Sequence, residues 1–281
     1  MQFTIKKVLT ALLILICVTT QTALAKRPQP TGVIFENVRI FNGTSVQLSA
    51  PSNVLVVGTV ITTISTSPIA NPPETTVTRI AGGGRTLMPG LIDAHSHISV
   101  MAVTMSDALN ADSGYIHIAA GQAAEAMLFR GFTTVRDMGG PTFGLKRAID
   151  SDLIVGPRIF PSGAMISQTG GHGDFRLPYE IPRTGGAPLS YTERIGLAAI
   201  ADSSDEVRRR TRENLMKGAS QIKLTAGGGV GSLYDPIDVT QFTEAELHAA
   251  VEAAENWGTY VTVHAYTPRA IRACFKTFAW T

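Results

Sequence analysis

The sequence predicts an α/β fold in which repeated βα units surround a parallel sheet. From Leu87 onward, strand-like and helix-like segments alternate, the pattern that crossover helices between parallel strands leave in a chain. The chain has 281 residues, 44% of them apolar, ample for one large domain or for a large and a small one. Its 27 glycines and 7% aromatic residues suit a fold with many tight turns, although composition only sets a prior that the alternation decides.

Residues Met1 to Ala25 read as a secretory signal peptide. Lys6 and Lys7 precede an apolar core from Val8 to Val18, and Ala23-Leu24-Ala25 is a small-residue site with cleavage expected after Ala25. The apolar run is shorter than the ~20 residues a membrane span needs, and polar residues from Thr19 to Thr22 follow it. Ile16 is too large for the small-residue position that precedes a lipidated cysteine, so Cys17 is not expected to carry an anchor. The expectation is a secreted or periplasmic protein with no stable membrane span.

Of 24 basic and 22 acidic residues, Lys6 and Lys7 leave with the leader, so the mature chain carries equal numbers. A charge near zero offers nothing to a nucleic-acid partner or an anionic membrane. Cys274 would be the one mature cysteine, which excludes a disulfide framework. Asn42-Gly43-Thr44 is a glycosylation sequon, of consequence only in a eukaryotic secretory pathway.

Between Thr31 and about Thr86, β-rich runs at Val33–Ile40, Val54–Ile64 and Thr75–Ile80 are separated by turn residues. This predicts a small antiparallel unit over residues 31–86. Catalytic residue types do not cluster in it, so its expected role is structural. Residues 87–281 form the second unit. Its first strand is Leu87-Met88-Pro89-Gly90-Leu91-Ile92-Asp93-Ala94-His95-Ser96-His97, followed by an alanine-rich helix over Gly121–Phe129. Thr133–Asp137 is the second strand, Phe143–Ile149 a short helix and Arg158–Ser162 the third strand. Gly163 to about Ser203 lacks a strong period, and a loop that long inside a compact domain is usually functional, here a substrate lid. Ser203 with Glu206 predicts a capping box opening a charged helix that Gly218 stops. Ser220–Thr225 is the fourth strand. After a Gly-rich loop, Thr243 with Glu246 caps a helix, and Tyr260–Tyr266 is the fifth strand.

Alternation along a strand carries the chemical argument. His95 and His97, two residues apart, share a face and can present two imidazoles to one ion, with Asp93 in line behind them. A bare His-x-His is a weak pattern, and the plainer reading is a strand that happens to end in two partly exposed histidines; the context decides between them. In Gln221-Ile222-Lys223-Leu224-Thr225, Ile222 and Leu224 are expected to pack outward against helices, which turns Lys223 inward with Gln221 and Thr225. A lysine inside a sheet is costly as an ammonium, so it must pair with a carboxylate, lose its proton or be chemically changed. In the fifth strand Val261 and Val263 face one way, and Thr262 and His264 the other. Four groups able to bind metal therefore fall at strand carboxyl ends, the face where such enzymes carry their sites. Arg136 and Asp137 are expected to pair with each other, and His117 and His248 to lie on the surface.

Pro89–His97, Thr133–Asp137, Ile222-Lys223 and Val261–Ala265 together resemble the amidohydrolase superfamily of metal-dependent hydrolases. Ser167–Asp174 and the Gly-rich loop after Lys223 resemble its branch of imidazolonepropionase-like, Xaa-Pro dipeptidase-like and fungal ochratoxin-type enzymes. The resemblance implies a (β/α)8 TIM barrel with a small N-terminal β-sandwich beside it. It further implies two divalent metal ions, commonly zinc. His95 and His97 would bind one ion and His264 the second, and Lys223, carboxylated by carbon dioxide, would bridge both as a carbamate. Water between the ions would attack an amide carbonyl of a dipeptide or N-acyl amino acid. His172 and Tyr234 are then candidates for substrate contact, against the plainer readings of a solvated loop histidine and a tyrosine covering the barrel mouth.

About five of eight βα units are legible, so a partial barrel is expected. The family's strand-six histidine and strand-eight aspartate find no counterpart, and the expectation is a truncated product, inactive or poorly folded alone. The alternatives are a cyclic-amide hydrolase and a non-catalytic metal-binding half barrel. The expected partner is a small amide or dipeptide, and homo-oligomerisation is left open.

Overall fold

A computed structural model describes residues 31–183 and 186–278, so the expected leader, residues 1–25, lies outside the described residues. Two compact units part between Pro89 and Gly90.

The first unit holds β1 (Thr31–Ile40), β2 (Ser52–Val57), β3 (Val60–Ser65), β4 (Thr76–Ala81) and the short β5 (Thr86–Leu87). Their order is β3-β2-β1-β4, with β5 beside the end of β1. The pairs β1–β2 and β2–β3 are antiparallel, but β4 and β5 both run parallel to β1, which corrects the expectation of an antiparallel unit. Turn residues announce a hairpin between neighbours in sequence. They carry no information about a chain that returns past the hairpin to its first strand.

The second unit contains, in order, β6 (Leu91–Ser96), α1 (Ile98–Met101), α2 (Met105–Asn110), α3 (Ser113–Phe129), β7 (Phe132–Asp137), α4 (Phe143–Asp150) and β8 (Arg158–Pro161). Then come β9 (Met165–Ser167), α5 (Tyr191–Arg194), β10 (Ala198–Ile200), α6 (Ser204–Met216), β11 (Ile222–Thr225), α7 (Glu244–Glu255), β12 (Val261–His264) and α8 (Pro268–Phe278). Every strand pair in it is parallel, in the orders β6-β7-β8 and β10-β9-β11-β12. This is an α/β fold with parallel sheets. One stretch of chain joins the two sheets: β8 pairs with β7, and after a break at Ser162-Gly163-Ala164 its continuation β9 pairs with β11. Asn214 of α6 serves the backbone at that break, donating to the Ala164 carbonyl at 3.0 Å and accepting its N–H at 3.2 Å. Ser220 N–H, entering β11, donates to Pro161 O at 2.8 Å and ties β11 to the end of β8 as well.

The structure corrects three local expectations. Residues 163–203 are not a bare loop, because β9, α5 and β10 lie in it and β9 is wholly buried; runs of three residues are too short to show a period. The alanine-rich helix begins at Ser113, where Asp112 accepts the Gly114 N–H at 2.8 Å, so His117 sits inside α3, exposed. At α6, Ser203 caps the Glu206 N–H, but the Glu206 carboxylate turns to the Asp202 N–H at 2.9 Å and leaves that box half made. At α7 the box is complete, with Thr243 N–H on Glu246 at 2.7 Å and Glu246 N–H on Thr243 at 3.4 Å.

The main core lies between β11, β12 and the helices over them: Ile222 and Leu224 are fully buried with Val207 and Leu215 of α6 and Leu247 and Ala250 of α7, and Val261 and Val263 pack against this cluster. The opposite face of β11 therefore turns away from the helices.

Candidate active site

That opposite face carries Gln221, Lys223 and Thr225, none more than 2% exposed. Lys223 lies 3.2 Å through its Nζ from His95 Nε2 and is in no ion pair among the described residues. Burial pulls its pKa down to about 8, partly offset by the charge of Asp137 and reinforced by Arg136. Its neighbours are fixed by the polar groups around them: Gln221 donates to Asp137 O and Phe160 O, and Thr225 Oγ1 donates to the Ser167 hydroxyl at 3.0 Å.

His95 is the penultimate residue of β6 and His97 stands between that strand and α1, their ring centres 5.2 Å apart. The β6–β7 register slips between Asp93 and Ser96, so simple alternation does not hold through Ala94 and His95. The two rings nonetheless come together. Asp93, expected behind them, accepts the His95 N–H at 3.1 Å. His97 Nδ1 lies 3.3 Å from Gly139 O; as a donor there, it leaves Nε2 with its lone pair. Burial and Lys223 hold the His97 pKa down, to about 4, and burial and Lys223 also lower that of His95, so both rings are neutral near pH 7.

Asp137, at the end of β7, was expected to pair with Arg136 and does not. Consecutive strand residues point apart: Arg136 donates to Ala94 O and Tyr260 Oη, whereas Asp137 is fully buried. Its carboxylate accepts the Ile98 N–H at 2.8 Å, the Gly139 N–H at 3.3 Å and the Thr142 hydroxyl at 3.2 Å. It thus holds both the residue after His97 and the turn whose carbonyl holds the His97 ring. Gly139 has φ 147°, and a Cβ there would lie 2.3 Å from Met165, so only glycine suits this turn. Burial raises the Asp137 pKa to about 7 against those three donors. Sequence reasoning missed this role, for which the signal was an acidic residue directly before Met138-Gly139-Gly140.

His264 ends β12 with its Nε2 3.1 Å from Gly228 O, and burial lowers its pKa. His172 stacks on it with ring centres 4.0 Å apart and planes 15° from parallel. Tyr234 stands apart from these rings: it is 41% exposed and donates its hydroxyl to Arg176 O at 2.6 Å. His248 is exposed, as expected. Among the described residues no group of three or more His, Cys, Asp or Glu side chains converges to hold a metal ion. A cavity of about 900 Å³ is lined by residues between Thr169 and Arg209 and by none of the histidines, and its Arg176, Arg183 and Arg209 already pair with Asp174, Glu193 and Glu206.

Parallel βα units with histidines and a buried lysine at strand ends define a class of site rather than one enzyme. Residues 86–280 match the model of the amidohydrolase family, and the chain belongs to that family. It is 37% identical over 199 residues to the ochratoxinase of Aspergillus niger, an overlap covering 68% of this chain and 41% of that protein. Among solved structures, a prolidase complexed with N-methylphosphonate-L-proline superposes with a TM-score of 0.76 at 36% identity, over 88% of this chain and 59% of that one. A Xaa-Pro dipeptidase with methionine in its active site superposes at 0.71 and 27% identity, over 88% and 59%. The chain therefore spans between 41% and 59% of the length of these relatives.

Proposed function

We propose that this chain carries the centre of a metal-dependent hydrolase of amide C–N bonds, acting on dipeptides or N-acyl amino acids. The observation that carries the reading is Lys223, 2% exposed, beside His95 and without a counter-ion among the described residues. As an amine it offers one nitrogen. As a carbamate formed with carbon dioxide it would offer two oxygens and a negative charge, and the cost of a buried ammonium would disappear. The lowered pKa leaves an appreciable fraction of unprotonated amine at neutral pH, the form that reacts with carbon dioxide.

The donor chemistry fits a divalent ion, with zinc the expected one. His97 directs one nitrogen to a backbone carbonyl and keeps the other free, the arrangement usual for a ligating histidine. His95, His97 and a carboxylated Lys223 would hold one ion, and His264 would contribute to a second. A divalent cation there supplies Lewis acidity, lowering the pKa of water and polarising an amide carbonyl. The protein side of the reaction is orientation: Asp137 and Gly139 fix His97, Gly228 fixes His264, and His172, stacked on His264, is the first candidate for substrate contact. Tyr234 is the second candidate for substrate contact, through the acceptor capacity of its hydroxyl.

The parallel strands are read as part of a (β/α)8 barrel, a reading supported by the superposition on solved relatives of the family, and the first unit is proposed to be part of a β-sandwich. The secreted or periplasmic location rests on residues 1–25. No helix among the described residues is long and apolar enough to cross a membrane.

Incubation with 13C-labelled bicarbonate and zinc is expected to give a carbamate resonance and bound metal, both lost in Lys223→Ala. Wild-type protein that binds zinc without a carbamate signal would rule out the bridge. Release of amine from N-acyl amino acids and dipeptides, compared with cyclic amides, tests the substrate class.

A further inference from the structure

The Gly-rich loop between β11 and α7 lies against His172, which stands on a different segment after β9. Gly229 comes so close that a Cβ there would fall 2.2 Å from His172 Nδ1. The loop brings three polar side chains with it. Ser232 Oγ is 2.8 Å from His172 Nδ1, Asp235 Oδ2 is 3.6 Å from the same nitrogen, and Gln241 Oε1 accepts the His172 backbone N–H at 2.9 Å. Asp235 is anchored: its Oδ2 accepts the Gly229 N–H at 2.8 Å and a hydrogen from Gln241 Nε2 at 3.4 Å. Its side chain is fully buried, and among the described residues Oδ1 has no partner.

A carboxylate buried beside one ring nitrogen favours a proton on that nitrogen. The Ser232 hydroxyl is within 3.5 Å of Gly229 O, to which it donates, so its lone pairs remain for the imidazole N–H. We propose that Asp235 and Ser232 are positioning residues that hold His172 as the Nδ1–H tautomer, leaving Nε2 as the nitrogen presented to the substrate. The proposal rests on the reading of His172 as a substrate-contacting residue. It adds what fixes the ring: a loop that closes over β11 sets the hydrogen-bonding sense of a histidine delivered by the segment after β9. His172 then meets a substrate N–H or O–H as an acceptor.

The long-range 1H–15N spectrum of the full chain labelled with 15N-histidine reads the tautomer directly, with His172 assigned by its disappearance in His172→Gln. The wild type is expected to show the Nδ1–H pattern. Asp235→Asn and Ser232→Ala, both with native circular dichroism, are expected to move the two nitrogen shifts toward those of an averaged ring. A wild-type Nε2–H pattern, or an unchanged pattern in both variants, overturns the proposal. Amide hydrolysis is read separately. Loss of turnover in His172→Gln with an unmoved tautomer in the loop variants keeps the substrate role and rejects the positioning role. Unchanged turnover in His172→Gln rejects the presentation of Nε2 to substrate, whatever the tautomer.

Discussion

The two faces of β11 are buried to the same degree by opposite means. Ile222 and Leu224, both 0% exposed, enter an apolar cluster with α6 and α7, where burial itself stabilises by about 25 cal/mol per Å² of apolar surface. Gln221, Lys223 and Thr225, at most 2% exposed, meet carbonyls, a hydroxyl and an imidazole. Their burial opposes folding unless each polar group is satisfied. Gln221 and Thr225 are satisfied by their neighbours, whereas Lys223 has only His95. A strand face that folds at a cost to stability and leaves one cation unpaired is what a reactive site looks like, and the apolar face supplies the stability that tolerates it.

The largest expected effect is on the apolar face. Leu224→Ala should lower unfolding free energy by about 2–5 kcal/mol in urea titrations, because the cluster leaves a cavity where the side chain was. Lys223→Met, one residue away, should leave the metal-free protein as stable or more so while abolishing zinc binding, since it replaces a buried cation whose burial Asp137 only partly offsets. Equal destabilisation by the two changes would remove the distinction between the faces.

Asp137 gives the next effect. Its folded-state pKa, raised to about 7 from 3.8, means the native state keeps a proton the unfolded chain has released, so this group's contribution is full below about pH 4 and is lost as pH rises through about 7. His97 and His172, lowered to about 4 from 6.5, act in the opposite sense, their contribution being lost as pH falls toward 4. Unfolding of metal-free Asp137→Asn against wild type isolates the first term. The variant should gain stability relative to wild type as pH climbs from 4 to 7, on top of a roughly constant loss of about 1–3 kcal/mol for the backbone N–H that an amide cannot accept from. A difference that stays flat with pH would contradict the raised pKa.

Thr243→Ala should cost about 1 kcal/mol, from the loss of a complete capping box at α7. Ser203→Ala at the half-made box of α6 should cost less, and the ratio of the two tests whether the second carboxylate contact matters.

Much of this was legible in the residues. The alternation in Gln221–Thr225 and Val261–His264 announced both faces, because strand periodicity is a property of the chain itself. Three-residue β9 and β10 fell below any periodic signal, and Asp137 was mistaken for a partner of Arg136 because adjacency in sequence is not adjacency in a strand. In the loop between β11 and α7 the sequence pointed to the glycines and Tyr234, and gave no sign that Ser232 and Asp235 meet His172.

The sequence by itself determined the longer elements of the second unit, the Ser203 and Thr243 side chains that cap α6 and α7 and the residue types at the strand ends, all encoded within a few residues of one another. The tertiary structure alone decided that β4 returns parallel to β1, that β8 breaks and reappears as β9, and that Asp235 lies beside His172. Those relations join residues tens of positions apart. They depend on which strand lies next to which, and a hydrophobic period carries no information about its neighbour.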